Sequence, residues 1–545
     1  KERPDPASRF QPLGVHQASQ VVDPAFPWED EHWSGLPLSQ YVIYELHVGT
    51  FTPEGTFEAI IPHLPELKDL GVTAIELMPV AQFPGNRNWG YDGVHPFAAQ
   101  NTYGGPEGLK KLVNACHLQG LAVILDVVYN HLGPEGNYLW DYGYYFTERY
   151  RTPWGEAVNF DGPHSDEVRR FFIENALYWI TECHIDALRL DALHAILDHS
   201  AQPFLRDLAE AVHEQADRLS RRVHLMAESD LNDVRLINPP ELGGFGLDAH
   251  WLDDFHHALH CLLTGERAGY YLDFGSLHHL AKAFREGFVY SGEYSRFRQR
   301  RHGSSTHHIA ARRFVAFAQN HDQVGNRMQG ERLSQLVSWE GLKLAAGVVI
   351  LSPFIPLLFM GEEYGETAPF QYFVSFLDQD LAAAVRRGRK EEFAAFQAQE
   401  EPPDPQDEET FRRSRLNHGL KTQEPHRTLR RFYRELLRLR RQVPALAHLS
   451  KLNQEVQDYE AEKVLWVRRW YGEDEVLGIF HFGTEFREMT LPLPAGRWQK
   501  LVDSADQAWL GPGPQGPESL TSTGEVTLPL APQALVLVAR TRRLL

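Results

Sequence analysis

The sequence predicts an α/β fold, a (β/α)8 barrel, followed by a smaller all-β domain. From about residue 40, short apolar runs alternate with helical patterns, which is typical of β-α-β units around a parallel sheet. Several of these runs end directly before a charged side chain, which is where such a barrel carries its functional groups. The eight predicted strands are residues 41–47, 72–79, 121–129, 185–191, 223–228, 245–251, 314–319 and 357–360.

Helical patterns fill the intervals between these strands. The run 121–129 (LAVILDVVY) is nearly all apolar, as expected of a strand that is buried on both faces. Its neighbours along the chain have the periodicity of amphipathic helices. The predicted helices are residues 109–119, 168–183, 204–216 and 342–351.

Two stretches interrupt the alternation. Residues 132–165, after the third strand, are rich in glycine, proline and aromatic residues, and we interpret them as a long loop at the active-site end. Residues 376–425, after the eighth strand, are highly charged. Because charge runs usually form solvated faces, we interpret this stretch as a helical insertion.

The two ends of the chain differ from the barrel pattern. Residues 1–37 contain Pro4, Pro6, Pro12 and Pro24, start without Met, and are interpreted as a linker or the tail of an upstream β-sandwich. We place the barrel at residues 38–450 and a C-terminal β-sandwich at 451–545. The predicted strands of that domain are residues 464–470, 476–482, 488–493 and 534–539.

Composition excludes several classes of partner. The formal net charge of −19 argues against nucleic acid and against an anionic membrane surface, since both attract basic proteins. No apolar run reaches the roughly 20 residues of a membrane span. The three cysteines contain no Cys-x-x-Cys pair and cannot form a disulfide framework, which favours a reducing, cytoplasmic location.

Three carboxylates follow predicted strands. Asp191 and Glu228 close the fourth and fifth strands, and Asp322 follows the seventh. Any one of them alone is more often a helix N-cap or a solvated loop residue. Three in order, with Arg189 two residues before Asp191 and His321 beside Asp322, favour a functional site.

Acetal hydrolysis at a sugar needs a proton donor and a second carboxylate. Arg189 points to the same strand face as Asp191 and holds that side chain ionised, so Asp191 suits the nucleophile. Glu228 follows an apolar strand and has an anionic neighbour, so it can stay protonated as the general acid. Asp322, His131 and His321 can bond sugar hydroxyls.

Four short motifs resemble the conserved regions of the α-amylase superfamily, glycoside hydrolase family 13. They occur in the expected order, and the resemblance covers roughly residues 38–545. It implies that Asp191 is the nucleophile, Glu228 the general acid/base and Asp322 the transition-state stabiliser. The four motifs are residues 126–131 (DVVYNH), 188–192 (LRLDA), 227–229 (AES) and 320–322 (NHD).

The same resemblance assigns further site residues. Tyr91 and Asp92 in NWGYDG are similar to the family's aromatic platform under the cleaved sugar. Asp126 is similar to the structural Asp that supports the site. Asn130 matches a calcium-ligand position of many α-amylases, but no acidic cage surrounds it in the sequence, and we expect no essential metal and no cofactor.

Within the superfamily, the chain resembles the trehalohydrolase branch most. Residues 251–257 (WLDDFHH), 319–327 (QNHDQVGNR) and 361–373 (GEEYGETAPFQYF) are similar to that branch, whereas branching enzymes usually carry Glu in place of Gln323. The expected substrate is maltooligosyltrehalose or a related α-glucan. Branching or debranching enzymes are the alternative, and a catalytically silent glucan-binding protein is a third reading that the three retained carboxylates disfavour.

This resemblance implies release of trehalose by a retaining glycosidase. A trehalose unit has no reducing end, so its recognition needs polar groups beyond the cleaved bond. We expect those groups to be Asp253, Asp254, His256, His257 and Glu363; helix capping and packing is the alternative role for the cluster at 253–257.

Overall fold

The structure, a computed structural model, describes residues 2–394, 401–513 and 516–541. Residues 395–400 of the predicted helical insertion therefore lie outside the described part, as do residues 514–515 and 542–545 of the predicted C-terminal domain.

The strands of the described chain follow the predicted order, with additional short pairs between the barrel strands. In chain order they are β1 (Ile43–Leu46), β2 (Ala74–Leu77), β3 (Ala81–Gln82), β4 (His95–Ala99), β5 (Ala122–Val127), β6 (Phe146–Thr152), β7 (Gly155–Val158), β8 (Ala187–Leu190), β9 (His224–Ala227), β10 (Ala249–Trp251), β11 (Ser291–Ser295), β12 (Arg300–Gly303), β13 (Phe314–Phe317), β14 (Ile355–Phe359), β15 (Gln454–Tyr459), β16 (Val464–Tyr471), β17 (Asp474–His481), β18 (Arg487–Asp503), β19 (Ser519–Leu530) and β20 (Ala534–Arg540).

The α-helices alternate with the barrel strands and continue into the C-terminal part. They are α1 (Val48–Phe51), α2 (Phe57–Ile60), α3 (Leu64–Leu70), α4 (Gly105–Leu118), α5 (Ser165–Glu182), α6 (Phe204–Leu219), α7 (Asp253–Thr264), α8 (Leu277–Glu286), α9 (His321–Gly325), α10 (Leu333–Leu336), α11 (Trp339–Ile350), α12 (Gln379–Ala394), α13 (Glu408–Arg413), α14 (His426–Gln442) and α15 (Pro444–Ala447).

Eight strands close a barrel in the order β1-β14-β13-β10-β9-β8-β5-β2, and the predicted (β/α)8 fold is confirmed. The pairs for which a register is defined are parallel. In that register Asp126 of β5 lies opposite Arg189 of β8, and Leu190 lies opposite Ala227 of β9. Asp191 and Glu228, each one residue further on, therefore end adjacent strands.

By its internal contacts the chain divides into two compact units. The first contains residues 1–251, 321–330 and 368–416, and the second contains residues 252–320, 331–367 and 417–545. Strands β1 to β10 belong to the first unit, together with α9, α12 and α13. Strands β11 to β20 belong to the second.

Residues 2–37 contain no α-helix or strand but pack on the first unit along their length. The Tyr142 hydroxyl donates to the carbonyl of Pro4, and Lys110 Nζ donates to the carbonyl of Pro24 at 2.9 Å. The indole of Trp33 donates to Asp186 at 2.7 Å. The segment predicted as a linker is thus held to the barrel by side chains of the barrel and of the loop after β5.

The two predicted interruptions have the expected character. The loop after β5 carries the antiparallel hairpin of β6 and β7. The stretch after β14 contains the helices α12 and α13, and residues 401–407 between them form no helix. The cap of α13 is Asp407, whose side chain accepts from the backbone N–H of Glu409, so the acidic run begins a helix as its residue types favour.

The predicted C-terminal all-β domain is confirmed. Its six antiparallel strands form one sheet in the order β15-β16-β17-β20-β18-β19. The long strand β18 pairs with both β19 and β20. The Trp466 indole of β16 donates to the carbonyl of Pro492 on β18, which is not its neighbour in the sheet. The buried core of this part includes Trp466, Ile479, Leu491 and Trp498.

None of the helices in the described residues has the length and apolar character needed to cross a lipid bilayer.

Candidate active site

The charged side chains of the first unit converge past the carboxyl ends of β8 and β9. Asp191 follows β8 and is 8% exposed, and Glu228 follows β9. Asp322 lies in the five-residue helix α9 and is the most open of the three carboxylates, with 40% of its side chain exposed. Each of the three residues predicted to be catalytic thus lies in this unit.

Arg189 is the centre of the cluster. Its guanidinium is fully buried and donates from Nη1 to Asp191 Oδ1 and to Asp126 Oδ2, both at 2.8 Å. Nη2 lies 3.5 Å from Glu228 Oε2. One fixed cation therefore contacts two of the three predicted catalytic carboxylates, Asp191 and Glu228. The ring of Trp251, at the end of β10, lies 4.6 Å from the guanidinium carbon and supports it by a cation–π contact.

Asp191 has hydrogen-bond donors on both carboxylate oxygens. Arg189 binds Oδ1, and the Asn130 side-chain amide donates to Oδ2 and to the Asp191 carbonyl, each at 2.8 Å. These donors hold the Asp191 carboxylate in one orientation at the end of β8.

Glu228 has the opposite environment. Burial raises the pKa of its carboxyl group, Arg189 acts against this, and the neighbouring anion Asp191 raises the pKa further. Its Oε2 accepts from the backbone N–H of Ala192 at 2.6 Å. Ala192 has φ 44°, a left-handed conformation that is uncommon for alanine, and this turn directs its N–H towards Glu228.

A second chain of hydrogen bonds supports Asp126. The Tyr91 hydroxyl donates to Asp126 Oδ2 at 2.6 Å and lies 2.6 Å from His321 Nε2. The other ring nitrogen of His321 bonds Glu45, whose carboxylate also accepts from the His321 backbone N–H. The rings of Tyr91 and His321 are stacked, with centroids 5.3 Å apart. The chain of hydrogen bonds thus runs from Glu45 through His321, Tyr91 and Asp126 to Arg189.

The charge states along this chain differ from those in water. Burial opposes charge on His321, but Asp322 and Glu45 outweigh it and raise the pKa of the imidazole to about 9. The ring is therefore a cation at neutral pH and donates from both nitrogens. Burial raises the pKa of Asp126 to about 7 even though Arg189 is in contact with it.

Two residues near the predicted sugar platform are held by their neighbours. His131 Nε2 lies 2.9 Å from the carbonyl of Tyr91, and its ring stacks on Trp154 with centroids 4.9 Å apart. Asp92 accepts from the Asn88 side-chain amide at 2.7 Å, and burial raises the pKa of its carboxyl group. Trp154 itself is 47% exposed, at the turn between β6 and β7.

The remaining predicted ligands lie in the second unit. Asp254 accepts from the backbone N–H groups of Val289 and Tyr290, at 2.7 and 2.9 Å, so one of its oxygens fixes a loop. His256 is buried, stacks between aromatic neighbours and contacts His257 through the Nδ1 atoms. Asp253 begins α7, and Glu363 is buried beside Glu362. Their role towards substrate stays a prediction.

Four contributors to the site were not assigned that role from the sequence. Glu45 is a charged residue in an otherwise apolar strand, which is a signal that could have been followed. Asn130 was considered only as a metal ligand, whereas its amide positions Asp191. Trp251 and Trp154 carry no local signal, because their contacts with Arg189 and His131 join distant parts of the sequence.

Comparison with known proteins now assigns the chain to a family. The model of the alpha amylase catalytic domain matches residues 27–152. A malto-oligosyltrehalose trehalohydrolase of Saccharolobus solfataricus is 52% identical over 458 residues, which is 84% of this chain and 78% of the relative. That of Arthrobacter ramosus is 48% identical, over 90% of this chain and 83% of the relative. The chain belongs to the malto-oligosyltrehalose trehalohydrolase family.

A solved structure agrees with this assignment. The crystal structure of a Salmonella typhimurium protein described as an alpha amylase superposes with a TM-score of 0.88 and 42% identity, over 99% of this chain and 88% of the other. The resemblance to the α-amylase superfamily and to its trehalohydrolase branch is therefore confirmed. That the cluster around Arg189 is the catalytic site of this family member stays a prediction.

Proposed function

We propose that this chain is a retaining glycosidase that hydrolyses the α-1,4 bond between a malto-oligosaccharide and a terminal trehalose unit, and so releases trehalose. The observation that carries the chemistry is that Arg189 and Asn130 fix the Asp191 carboxylate by hydrogen bonds, while burial raises the pKa of the neighbouring Glu228. The names of the family's members, 52% and 48% identical, support the substrate.

The first step forms a glycosyl-enzyme. Asp191 attacks the anomeric carbon of the malto-oligosaccharide, and Glu228 gives its proton to the glycosidic oxygen, so that trehalose leaves as the free alcohol. The Asp191 charge is consumed as the ester forms. Glu228, now an anion, remains 3.5 Å from Arg189 Nη2, which stabilises the charge it has gained.

The second step releases the malto-oligosaccharide. Glu228 takes a proton from a water molecule, the water oxygen attacks the anomeric carbon, and the bond to Asp191 breaks. The configuration at the anomeric carbon is inverted in each step, so the product retains the configuration of the substrate. Once Asp191 regains its charge, its bonds from Arg189 and Asn130 return the site to its initial state.

The other polar groups act on the sugar at the cleavage point. Asp322 is the most exposed of the three carboxylates and can accept from ring hydroxyls, and its charge favours the oxocarbenium-like transition state. The imidazolium of His321 lies 3.5 Å from Asp322 and keeps that carboxylate oriented. Tyr91 offers its ring as the platform under the sugar.

Preference for a trehalose end requires polar groups that bond its hydroxyls. We assign this role to Asp253, Asp254, His256, His257 and Glu363, of which Asp254, His256 and Glu363 are buried. A site with buried polar partners rejects a ligand that cannot pair with them by about 10²–10⁴ in kcat/KM. The formal net charge of −19 and a neutral sugar substrate both argue against nucleic acid as a partner.

A product assay tests the substrate. The enzyme is incubated separately with maltooligosyltrehalose, amylose and amylopectin at equal concentrations of glucose residues, and the products are separated by chromatography. We expect free trehalose from the first, and a kcat/KM on amylose lower by about 10²–10⁴. Equal rates on amylose would overturn the substrate assignment but leave an α-glucan hydrolase, and new branch points would indicate a branching enzyme.

Retention is tested separately. Proton NMR of the first malto-oligosaccharide released should show the α-anomer before mutarotation. Retaining enzymes hold their two carboxyl groups about 5–5.5 Å apart, and inverting enzymes roughly 6.5–9.5 Å apart. Initial release of the β-anomer would contradict the double-displacement mechanism.

A cytoplasmic location is part of the proposal. Cys116, Cys183 and Cys261 are all free and buried, which suits a reducing compartment. Fractionation of the source cells, with the activity followed in each fraction, tests this.

A further inference from the structure

A second cluster of ligand-type side chains lies at the amino end of β8, opposite the end that carries Asp191. Asp30 comes from the segment before the barrel, His117 from the last turn of α4, and His184 from the connection between α5 and β8. Asp30 Oδ2 lies 2.6 Å from His117 Nδ1 and 2.8 Å from His184 Nδ1. The three donor atoms all lie within 4.8 Å of one another.

The second nitrogen of His117 is also fixed. His117 Nε2 lies 2.8 Å from Asp186 Oδ2, so the ring is held between two carboxylates. Asp186 is itself immobilised by the backbone N–H of Val123, the indole of Trp33 and Arg221. A carboxylate that holds the distal nitrogen of a histidine is the usual support of a metal-bound imidazole.

Stacked rings hold both imidazoles in orientation. Trp28 stacks on His184 with centroids 3.7 Å apart, and Trp33 stacks on His117 with centroids 4.8 Å apart. The His117 side chain is fully buried and that of Asp30 is 5% exposed, whereas 25% of the His184 side chain is exposed. An ion can therefore approach from the His184 side.

We propose that Asp30, His117 and His184 form a structural zinc site. Two imidazole nitrogens and one carboxylate oxygen are a donor set that Zn²⁺ accepts, with water as the fourth ligand. Donors around a tetrahedral Zn²⁺ stand about 3.3 Å apart, given bonds of about 2.0–2.1 Å. The Asp30–His117 pair at 2.6 Å must part by about 0.7 Å, and the Asp30–His184 pair at 2.8 Å by about 0.5 Å. Because Asp30 Oδ2 belongs to both pairs, a small withdrawal of that carboxylate opens both.

Binding replaces protons by the metal. The two histidines give up their Nδ1 protons to solvent, and the Nδ1 lone pairs then bind the ion. His117 keeps its Nε2 proton and donates it in a hydrogen bond to Asp186. The ion joins the segment at residue 30 to α4 and to the start of β8. Its effect is on stability of the first unit, and it lies apart from the groups that cleave the sugar.

The test uses the full chain without an affinity tag. Protein is stripped with EDTA, dialysed and titrated with Zn²⁺ by calorimetry, and bound metal is counted by mass spectrometry. We expect one Zn²⁺ per chain and a rise in Tm when it binds. Asp30→Asn should weaken Zn²⁺ binding by at least tenfold, and His184→Gln should do the same.

Glu29→Gln is the matched control, because it removes a carboxylate charge from the adjacent, exposed position of the same segment. It should bind Zn²⁺ as the native chain does. Circular dichroism and the Tm in EDTA establish that each variant folds. The proposal is overturned if the native chain binds no stoichiometric Zn²⁺, or if Asp30→Asn and His184→Gln bind it as tightly as Glu29→Gln does; the cluster is then a set of hydrogen-bonded ion pairs.

Discussion

The two ends of strand β8 carry the same kinds of residue and use them differently. At the amino end, Asp186 is surrounded by Trp33, His117, Val123 and Arg221, each donating to one of its oxygens. At the carboxyl end, Asp191 has Arg189 and Asn130 as its donors. Both aspartates are buried, and both have an arginine partner.

The two ends differ in the number of carboxylates relative to the hydrogen-bond donors and cations around them. At the amino end, burial alone would raise the pKa of both acids, but hydrogen bonds and nearby cations lower the pKa of Asp30 to about 2 and lower that of Asp186. At the carboxyl end, Arg189 and His321 face more carboxylates than they can neutralise: Glu45, Asp126, Asp191, Glu228 and Asp322. Burial and this surplus of carboxylates raise the pKa of Glu228, so the same side-chain types lower the pKa of the acids at one end and raise the pKa of an acid at the other.

Removal of either Asp191 or Glu228 is the largest expected effect. Asp191→Ala loses the proposed nucleophile and Glu228→Gln loses the proposed proton donor, so each should lower kcat by several orders of magnitude with the fold retained. Glu210→Gln on the surface of α6, a matched loss of one carboxylate, should keep native kinetics. Near-native turnover in a folded Asp191→Ala or Glu228→Gln chain would contradict the assigned roles.

Substitution of Arg189 and of Arg221 by lysine, one at a time, tests the comparison between the two ends of β8. Arg189→Lys keeps the charge but loses the planar guanidinium, whose Nη1 donates to both Asp126 and Asp191 while Nη2 lies 3.5 Å from Glu228, so kcat/KM should fall by about 10²–10³. Arg221→Lys loses bonds to Asp186 and the carbonyl of His184, and should lower the free energy of unfolding by about 1–3 kcal/mol with kcat unchanged. Urea denaturation and steady-state kinetics on both variants separate the outcomes; a mainly catalytic defect in Arg221→Lys would refute the division of roles.

The barrel could be predicted from the sequence because its strands and helices have clear local patterns and follow one another in a regular order. The apolar run at 121–129 and the helical pattern at 168–183 correspond to β5 and α5. The ends of β8 and β9 were also predicted within a few residues, which placed Asp191 and Glu228 on neighbouring strands.

Contacts between distant segments could not be read from the sequence. The bonds from Glu45 to His321 and from Asn130 to Asp191 join residues far apart in the chain, and no local pattern specifies them. The same holds for residues 2–37: their prolines suggest a linker, while the contact of Asp30 with His117 depends on the folded barrel. Strand β19 was missed because polar and β-branched residues alternate there without an apolar run.

The cation at His321 predicts a pH-dependent stability. Its pKa of about 9 in the folded chain exceeds the usual value of about 6.5, so its contribution is complete below about pH 6.5 and is lost as pH rises through about 9. Asp322, Glu45, Tyr91 and Arg189 face the ring. Between these pH values the native chain should lose on the order of 3 kcal/mol more than His321→Gln, as measured by urea unfolding. Equal losses in the two proteins would show that the imidazole is neutral.

The smallest expected effect concerns Trp154, on the open side of the catalytic end. Its exposed ring stacks on His131, which also contacts the Tyr91 carbonyl and the Asn130 side chain, so it can extend the platform that receives the sugar chain. A stacking contact of about 0.5–1.5 kcal/mol corresponds to a KM for maltooligosyltrehalose raised about 2- to 10-fold in Trp154→Ala, with kcat nearly unchanged. Trp140→Ala removes an equally exposed tryptophan from the same loop, where it packs on Phe146, and serves as the control. If the two variants raise KM alike, the effect belongs to the loop as a whole; if Trp154→Ala lowers kcat instead, the ring acts on the orientation of His131 and Tyr91 rather than on the sugar.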